Sequence, residues 1–192
     1  MELNDDSVPP RFLLDIGGMC AGALWCPSPH FDERPDDARV ELLVIHNISL
    51  PPGEFGSACI TDLFLGCLDP AAHPFFAEIA GLRVSSHFLI RRGGAVVQYV
   101  PCGMRAWHAG ASSWKGRERC NDYSVGIELE GTDEVPFTDT QYEALAALTR
   151  ALFARYGTLD IAGHSDVAPG RKTDPGPCFD WPRYREAVGP VA

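Results

Sequence analysis

The sequence predicts an α/β (α+β) fold in which a mixed central β-sheet is flanked by helices within a single domain. Three observations support this prediction. Residues 41–47 read as a strand whose middle, residues 42–45, is continuously apolar, which is typical of a strand covered on both faces. Residues 124–130 alternate as a strand does, and residues 139–156 place apolar side chains on one face of a helix. Because no linker interrupts the elements, we expect one domain over residues 1–192.

The predicted helix over residues 139–156 has recognisable ends. Gln141 follows Thr138 by three residues, which is a capping box, and Gly157 ends the helix. A short C-terminal helix should begin after Asp180 and continue through Val188. The other predicted elements are helices over 55–68 and 73–80, and strands over 84–90, 95–100 and 159–163, with a hairpin turn at 91–94.

The composition limits the classes of partner. A hydrophobic content of 45% and a charged content of 22% are ordinary for a soluble globular protein. The net charge of −10 argues against binding to nucleic acid or to an anionic membrane surface. No apolar run reaches the ~18 residues of a membrane span. We therefore expect a monomer that acts on a small molecule.

The cysteines and the N-terminus indicate a compartment. The seven cysteines are odd in number, and none forms a CxxC pair, so we interpret them as free thiols in a reducing environment. The first residues are acidic and lack the basic and apolar regions of a signal peptide. These features predict a cytoplasmic protein, with a leader over residues 1–20 and a core over about 25–185.

Residues 163–177 concentrate the groups that carry chemistry. This segment contains one His, two Asp, one Lys and three Pro, and we expect neither helix nor strand to run through it. His164 lies in it, and His46 ends the buried strand at residues 41–47. Two imidazoles and one carboxylate form a familiar catalytic zinc shell, in which zinc activates water and polarises a carbonyl group. Otherwise His46 would be a hydrogen-bonded imidazole at a strand end.

The spacing of the residues does not decide which aspartate would be the third metal ligand. Asp166 follows His164 by two residues, so both side chains would share a face in an extended segment. Asp174 precedes Pro175, which favours an extended conformation and is also typical of a plain turn. Either aspartate is compatible with a metal site.

Further polar residues are candidates for roles around such a site. Glu128 shares a strand face with Glu130 and could act as a general base, unless that face is merely exposed. Lys172 could stabilise an oxyanion, although a solvated loop lysine is the commoner case. His108, beside Trp107, is a candidate pocket residue, whereas His87 reads as a hydrogen-bonded core histidine.

Several blocks of the sequence resemble the AmpD-type 1,6-anhydro-N-acetylmuramyl-L-alanine amidases. The similarity covers roughly residues 25–185 and includes the long ungapped segments 43–56, 73–76, 84–88, 105–110, 116–122, 126–132 and 163–177. It implies a zinc amidase with the amidase/peptidoglycan-recognition fold. Cys178 departs from the family pattern, where a small apolar residue is expected.

The resemblance also implies roles for individual residues. Zn²⁺ would be held by His46, His164 and Asp174, which leaves Asp166 to brace the loop. Glu128 would be the catalytic carboxylate, and Lys172 would stabilise the oxyanion. The residues implied to bind substrate are Asn47, Arg83, Trp107 and Arg119.

The expected reaction is hydrolysis of the amide between 1,6-anhydro-N-acetylmuramic acid and the L-alanine of a muropeptide, during peptidoglycan recycling. Two alternatives remain open at this point. One is an amidase that acts on intact N-acetylmuramoyl peptides. The other is a non-catalytic muropeptide sensor on the same fold, which would be expected to lack a ligand or the base.

Overall fold

The computed structural model describes residues 11–189. In chain order, the strands are β1 (Leu13–Leu14), β2 (Cys20–Ala21), β3 (Leu24–Trp25), β4 (Phe31–Asp32), β5 (Leu42–Ile48), β6 (Phe88–Ile90), β7 (Val96–Gln98), β8 (Arg105–Ala106), β9 (Ser113–Trp114), β10 (Arg117–Glu118), β11 (Ser124–Glu130) and β12 (Asp160–Gly163). The helices are α1 (Cys59–Leu65), α2 (Phe76–Ile79), α3 (Asp139–Tyr156), α4 (His164–Val167) and α5 (Trp181–Val188), with a 3-10 turn at Cys120–Asp122.

A six-stranded sheet forms the centre of the molecule, with the order β12-β5-β11-β6-β7-β3. The first four of these strands are mutually parallel, and β7 runs antiparallel to β6 through the predicted hairpin. The fold prediction of a mixed sheet flanked by helices is therefore confirmed. Because β12, β5 and β11 are parallel, their carboxyl ends meet at one edge, where ligands commonly bind in such sheets.

Both faces of the central strands are covered, as their apolar sequences predict. Alternate side chains of β5 and β11, such as Ile45 and Ile127, are fully buried in a core that includes α3 and α5. A smaller core on the other side packs α1 and α2 around Leu89 of β6. Each buried aliphatic side chain of this kind contributes about 1.5–3 kcal/mol to folding. The rigid sheet that results fixes the positions of the polar residues at its edge.

The long helix α3 matches its prediction at both ends. The Thr138 side chain accepts a hydrogen bond from the backbone N–H of Gln141, and the Gln141 side chain returns one, so the capping box is present. Gly157 follows the last residue of the helix. Helix α5 lies against α3, where Thr149 and Tyr184 are hydrogen-bonded at 2.7 Å through their hydroxyl groups. Asp180 caps α5, as predicted.

Several predicted boundaries differ from the structure. Helices α1 and α2 are shorter than predicted, because the Gly- and Pro-containing sequences around them form turns. Strand β6 begins later than predicted, and Ser85, in the segment before it, is hydrogen-bonded to Trp107 and His30. As predicted, no helix or strand runs through residues 163–177, although β12 ends at Gly163 and α4 forms one short turn over His164–Val167. Phe12 and Cys20 lie in the core, so folded structure begins within the segment that the sequence assigned to a leader. Residues 1–10 lie outside the described range.

Two further predictions concern the whole described chain. All seven cysteines are free, as expected. Among residues 11–189, none of the helices combines the length and the apolar content that a membrane crossing requires.

Candidate active site

One row across the parallel strands contains the side chains of His164, His46 and Glu128. Gly163, the last residue of β12, is paired with Ile45 of β5, so His164 and His46 follow at the same level. On the other side of β5, Glu128 of β11 is paired with His46. Because side chains alternate along a strand, His46 and Glu128 project from the face opposite to the α3 core that contains Ile45. The sheet thus brings residues from three distant segments to one place.

His46, His164 and Asp174 form a cluster that can hold a metal ion. The Nδ1 atoms of the two histidines are 3.0 Å apart, and Asp174 Oδ2 lies 3.1 Å from His46 Nδ1 and 3.0 Å from His164 Nδ1. Three electron-pair donors this close repel one another unless protons or a cation lie between them. Ligands on a tetrahedral ion with bonds of ~2.0 Å are roughly 3.3 Å apart, which matches this spacing. The donor set therefore fits a metal ion.

The second ring nitrogens of both histidines have partners of their own. His164 Nε2 lies 3.2 Å from the carbonyl oxygen of Ala109, which can only accept a hydrogen bond. His46 Nε2 lies 2.9 Å from Nδ1 of His108. Contacts of this kind orient metal-binding imidazoles. The sequence indicated His108 only as a candidate pocket residue, because nothing in its spacing links it to His46.

The loop after β12 carries two members of the cluster in a fixed relation. The backbone N–H of Ser165, next to His164, donates a 2.8 Å hydrogen bond to the carbonyl oxygen of Asp174. A Cβ atom at Gly163 would lie 2.8 Å from Cδ of Pro175, so the two ends of the loop approach closely only because this residue is glycine.

The structure separates the two aspartates between which spacing could not choose. Asp174 joins the imidazoles, whereas the Asp166 carboxylate accepts a 2.7 Å hydrogen bond from the backbone N–H of Gly163 and caps the short helix α4. Asp166 therefore braces the loop, as the family resemblance implied. Cys178, which follows the loop, is not a member of the cluster.

The electrostatics of the cluster suit a cation. Burial lowers the pKa of His46 to about 4, against the opposing effect of Asp174, so its ring is neutral at pH 7. Burial acts to raise the pKa of Asp174, but hydrogen bonds to His164 and His46 outweigh it and hold that pKa well below its usual range. A neutral His46 ring beside an ionised Asp174 carboxylate is the combination of protonation states that metal binding requires.

Glu128 is a buried carboxyl group beside this cluster. Only 7% of its surface is exposed, and among residues 11–189 its Oε2 atom has no hydrogen-bond partner. Burial raises the pKa of Glu128 well above its ordinary value, the charge of Asp174 adds to this, and the charge of Lys172 opposes it. Buried carboxyl groups with raised pKa values are typical of catalytic acids and bases.

Glu130, two residues further along β11, has a different role. It is almost fully buried and accepts hydrogen bonds from Arg91 and from the backbone N–H groups of Gly56 and Arg92. Because these partners are other parts of the protein, Glu130 has a structural role. The interpretation of the two glutamates as an exposed edge is therefore wrong for both, because β11 is a central strand between β5 and β6 and both side chains are buried.

Asn47 contacts the loop that carries Asp174. Its side-chain nitrogen donates to Asp133 Oδ1 at 2.6 Å and to the carbonyl oxygen of Pro175 at 3.1 Å. Both of its amide hydrogens are therefore used by the protein. Because Pro175 follows Asp174, Asn47 connects the strand that carries His46 to the loop that carries the carboxylate.

The other three residues implied to bind substrate lie near one another. The Arg83 guanidinium lies 5.6 Å from the ring centroid of Trp107, whose indole N–H donates to Asp32. Asp32 pairs with Arg105, Arg105 pairs with Asp122, and Asp122 pairs with Arg119. A chain of ion pairs thus connects Trp107 to Arg119.

An open cleft lies beside Arg119. It has a volume of about 530 Å³, and its walls include Gly110, Arg119, Val167 and Arg171. Arg171 donates to the same Ala109 carbonyl oxygen that contacts His164. The lining of this cleft does not include His46, Glu128, His164 or Asp174.

Comparison with known proteins identifies the family. The sequence model of the N-acetylmuramoyl-L-alanine amidase family matches residues 36–177 of this chain. The chain is 65% identical to the 1,6-anhydro-N-acetylmuramyl-L-alanine amidase AmpD of Salmonella typhimurium, over 92% of this chain and 95% of that protein. The crystal structure of a selenomethionine derivative of AmpD superimposes with a TM-score of 0.90 at 62% identity, and covers 92% of this chain and 99% of that one.

A structure with substrate is also similar. The Escherichia coli N-acetylmuramyl-L-alanine amidase AmiD, in complex with anhydro-N-acetylmuramic acid-L-Ala-D-γ-Glu-L-Lys, is 27% identical, with a TM-score of 0.57. The match covers 92% of this chain and 65% of AmiD. From the matched model, the sequence identity and the shared fold, we conclude that the chain belongs to the N-acetylmuramoyl-L-alanine amidase family.

Proposed function

We propose that this protein is a zinc-dependent amidase that hydrolyses the amide between 1,6-anhydro-N-acetylmuramic acid and L-alanine in muropeptides. The observation that carries the proposal is the convergence of His46, His164 and Asp174 beside the buried Glu128. The AmpD enzymes, which are named for this reaction, are similar to the chain over nearly its whole length. A sensor that has lost its catalytic residues is disfavoured, because all three proposed ligands and Glu128 are present.

The nature of the donor set supports zinc. Two imidazole nitrogens and one carboxylate oxygen, with a fourth position left for water or substrate, are typical of catalytic zinc. Zinc held there would lower the pKa of water and polarise the carbonyl group of the substrate. His46, His164 and Asp174 would hold the ion, and the strand pairing and the loop would keep them in place.

Glu128 is proposed to transfer a proton from the attacking water to the leaving nitrogen. Its unpartnered Oε2 would accept a proton from the attacking water as the new bond to the lactyl carbonyl carbon forms. The same carboxyl group would then give that proton to the L-alanine nitrogen as the C–N bond breaks. The products are the muramic acid carboxylate and a peptide with a free amino terminus. One residue can serve in both steps because the proton that it takes from the water is the one that it gives to the nitrogen.

Lys172 is proposed to stabilise the negative oxygen of the tetrahedral intermediate. Its charge acts on both Glu128 and His46, so it lies within electrostatic range of the reaction centre. It is on the same loop as His164 and Asp174. A change in that loop would therefore alter metal binding and oxyanion stabilisation together.

Three residues are proposed to bind the substrate directly. Trp107 and Arg83 provide a flat aromatic surface beside a cation, which suits the apolar face of a sugar. Arg119, at the cleft, suits a carboxylate of the stem peptide. Asn47 was also expected to contact substrate; because its amide hydrogens are used, such a contact would be through its side-chain oxygen.

We further propose that the protein acts as a cytoplasmic monomer in the recovery of wall fragments. Seven free cysteines are the usual state of thiols in a reducing compartment. The mass of the native protein in solution would test the monomer, and fractionation of its source cells would test the compartment.

The deciding experiment is mass-resolved turnover of a purified anhydromuropeptide, with and without a metal chelator. We expect release of the free stem peptide, its loss on chelation and its recovery on addition of Zn²⁺. A parallel assay with the non-anhydro muropeptide distinguishes the enzyme proposed here from an amidase that acts on intact wall peptides. Binding of anhydromuropeptide without turnover, by protein that contains zinc, would instead indicate a sensor.

A further inference from the structure

The His108 ring contacts two neighbouring strands of the sheet. Its Nδ1 lies 2.9 Å from Nε2 of His46, and its Nε2 lies 3.2 Å from the hydroxyl oxygen of Ser124. His46 and Ser124 are on the neighbouring strands β5 and β11. The His108 ring therefore links one member of the metal cluster to a polar side chain of the next strand.

Gly126 makes room for this ring. A Cβ atom at Gly126 would lie 2.6 Å from Cγ and Nδ1 of His108, closer than real Cβ contacts allow. A glycine inside a buried strand is costly unless another group must approach the backbone closely. The group that approaches here is the His108 imidazole, so Gly126 and His108 form one structural unit.

The positions of the protons distinguish the two ligand histidines. His164 Nε2 faces a backbone carbonyl oxygen, which accepts only, so this nitrogen carries the proton and Nδ1 is free for a metal. His46 Nε2 faces an imidazole nitrogen, which can either donate or accept. Geometry at His46 alone therefore does not fix its tautomer.

We propose that His108 is a positioning residue for His46 and accepts the Nε2–H that His46 carries when its Nδ1 holds the metal. In this arrangement His46 Nε2–H donates to His108 Nδ1, and His108 Nε2–H donates to the Ser124 oxygen. His46 Nδ1 then has a free electron pair directed at His164 and Asp174. In the reverse arrangement His108 would donate to His46, and a proton on His46 Nδ1 would point into the cluster and exclude the metal. The inference rests on the proposed metal centre.

His87 offers a matched control. It is also a fully buried histidine against Gly126, where its Nδ1 accepts a hydrogen bond from the Gly126 backbone N–H. Its ring lies 5.7 Å from that of His108. The contacts of His87 are to Gly126, Met104 and Arg34, and none is to a member of the metal cluster. Replacing His87 should therefore affect stability without changing the tautomer of His46.

The test is the Zn²⁺ affinity of the purified protein, measured by competition with a chromophoric chelator. For His108→Leu we expect affinity to fall by about 10–100-fold, the usual effect of removing a partner of a ligand histidine. His108→Asn, whose side-chain oxygen can replace Nδ1 as the acceptor, should recover most of this loss. His87→Leu should retain the wild-type affinity, and thermal unfolding of each metal-free variant shows whether it is folded.

A second readout follows the tautomer itself. Nitrogen-15 NMR of the histidine side chains in the zinc-loaded protein should show both His46 and His108 protonated on Nε2. Ser124→Ala retains the His108 ring and its packing but removes the acceptor of its Nε2–H, so we expect weaker Zn²⁺ binding in this variant even if His108→Leu does not fold. Wild-type affinity in folded His108→Leu, a His108 proton on Nδ1 in the zinc-loaded protein, or equal losses in His108→Leu and His87→Leu would overturn the proposal. A wild-type protein that binds no zinc would instead contradict the proposed function.

Discussion

Glu128 and His46 lie directly opposite each other on two neighbouring parallel strands, with their side chains on the same face of the sheet. This pairing places a buried carboxyl group beside the metal cluster without any contribution from a loop. Since both strands are buried in the core, the sheet itself fixes the distance between Glu128 and the cluster of His46, His164 and Asp174.

The first prediction concerns Glu128. For Glu128→Gln we expect kcat to fall by about 10²–10⁴-fold, the usual range for loss of a general acid–base group, while zinc remains bound. Turnover and zinc content should be measured on the same preparation. Glu130→Gln is the control on the same strand face, because Glu130 pairs with Arg91; it should lower the melting temperature and leave kcat nearly unchanged. Near-normal turnover in zinc-loaded Glu128→Gln would exclude the proposed role.

The two aspartates of the loop give the second prediction. Asp174→Ala should abolish zinc binding and turnover, because it removes one of three ligands. Asp166→Ala should keep both and lose only a helix cap, worth about 1 kcal/mol of stability. Zinc at 100 times its dissociation constant should raise wild-type stability by about 2.7 kcal/mol, an effect that Asp174→Ala should lack. Loss of zinc from Asp166→Ala, with zinc retained by Asp174→Ala, would reverse the ligand assignment.

The third prediction concerns the brace between Asn47 and the loop. Asp133→Ala removes the acceptor of the 2.6 Å hydrogen bond from Asn47, so the Asn47 amide should hold Pro175 less firmly. We expect weaker zinc binding and faster hydrogen exchange in the backbone near Asp174. Glu134→Ala, in the next residue, is exposed and should change neither quantity. Unchanged exchange in Asp133→Ala would show that the brace does not order the loop.

The fourth prediction is a dependence of stability on pH. Hydrogen bonding to Arg105 lowers the pKa of Asp32, against a smaller opposing effect of burial. Because the folded pKa is below the unfolded one, the ionised carboxylate stabilises the fold above about pH 4, and this contribution is lost as the pH falls through the folded pKa. Asp32→Asn should therefore lower the melting temperature modestly at pH 7, since Asp32 is partly exposed. The difference from wild type should shrink towards pH 3; a constant difference would show that the ion pair contributes nothing.

Much of the fold could be predicted because its signals are local. The capping box at Thr138 and the helical spacing that follows it act within a few residues, and the structure has α3 at the predicted bounds. The apolar run of β5 predicted a strand buried on both faces. The lengths of α1 and α2 could not be predicted, because their ends depend on packing and on turns.

Residues 163–177 show what local sequence signals could not predict. The composition of this segment indicated a metal site, but Asp166 and Asp174 remained equally compatible with it until the family resemblance was considered. Asp166 is the nearer in sequence to His164, yet it is engaged by the Gly163 backbone N–H, and Asp174 reaches the imidazoles because the loop folds back on itself. Proximity along the chain was therefore a poor guide to proximity in space.

By itself, the sequence determined the class of fold, the main strands and helix, and the residue types available for zinc chemistry. Only the tertiary structure decided that His46 and Glu128 are opposite each other, that Asn47 braces the loop, and that His108 rests on Gly126 against His46. The physical reason is that helical periodicity and capping are interactions between near neighbours. The site instead depends on strand register and on contacts between segments tens of residues apart, which exist only once the sheet has formed.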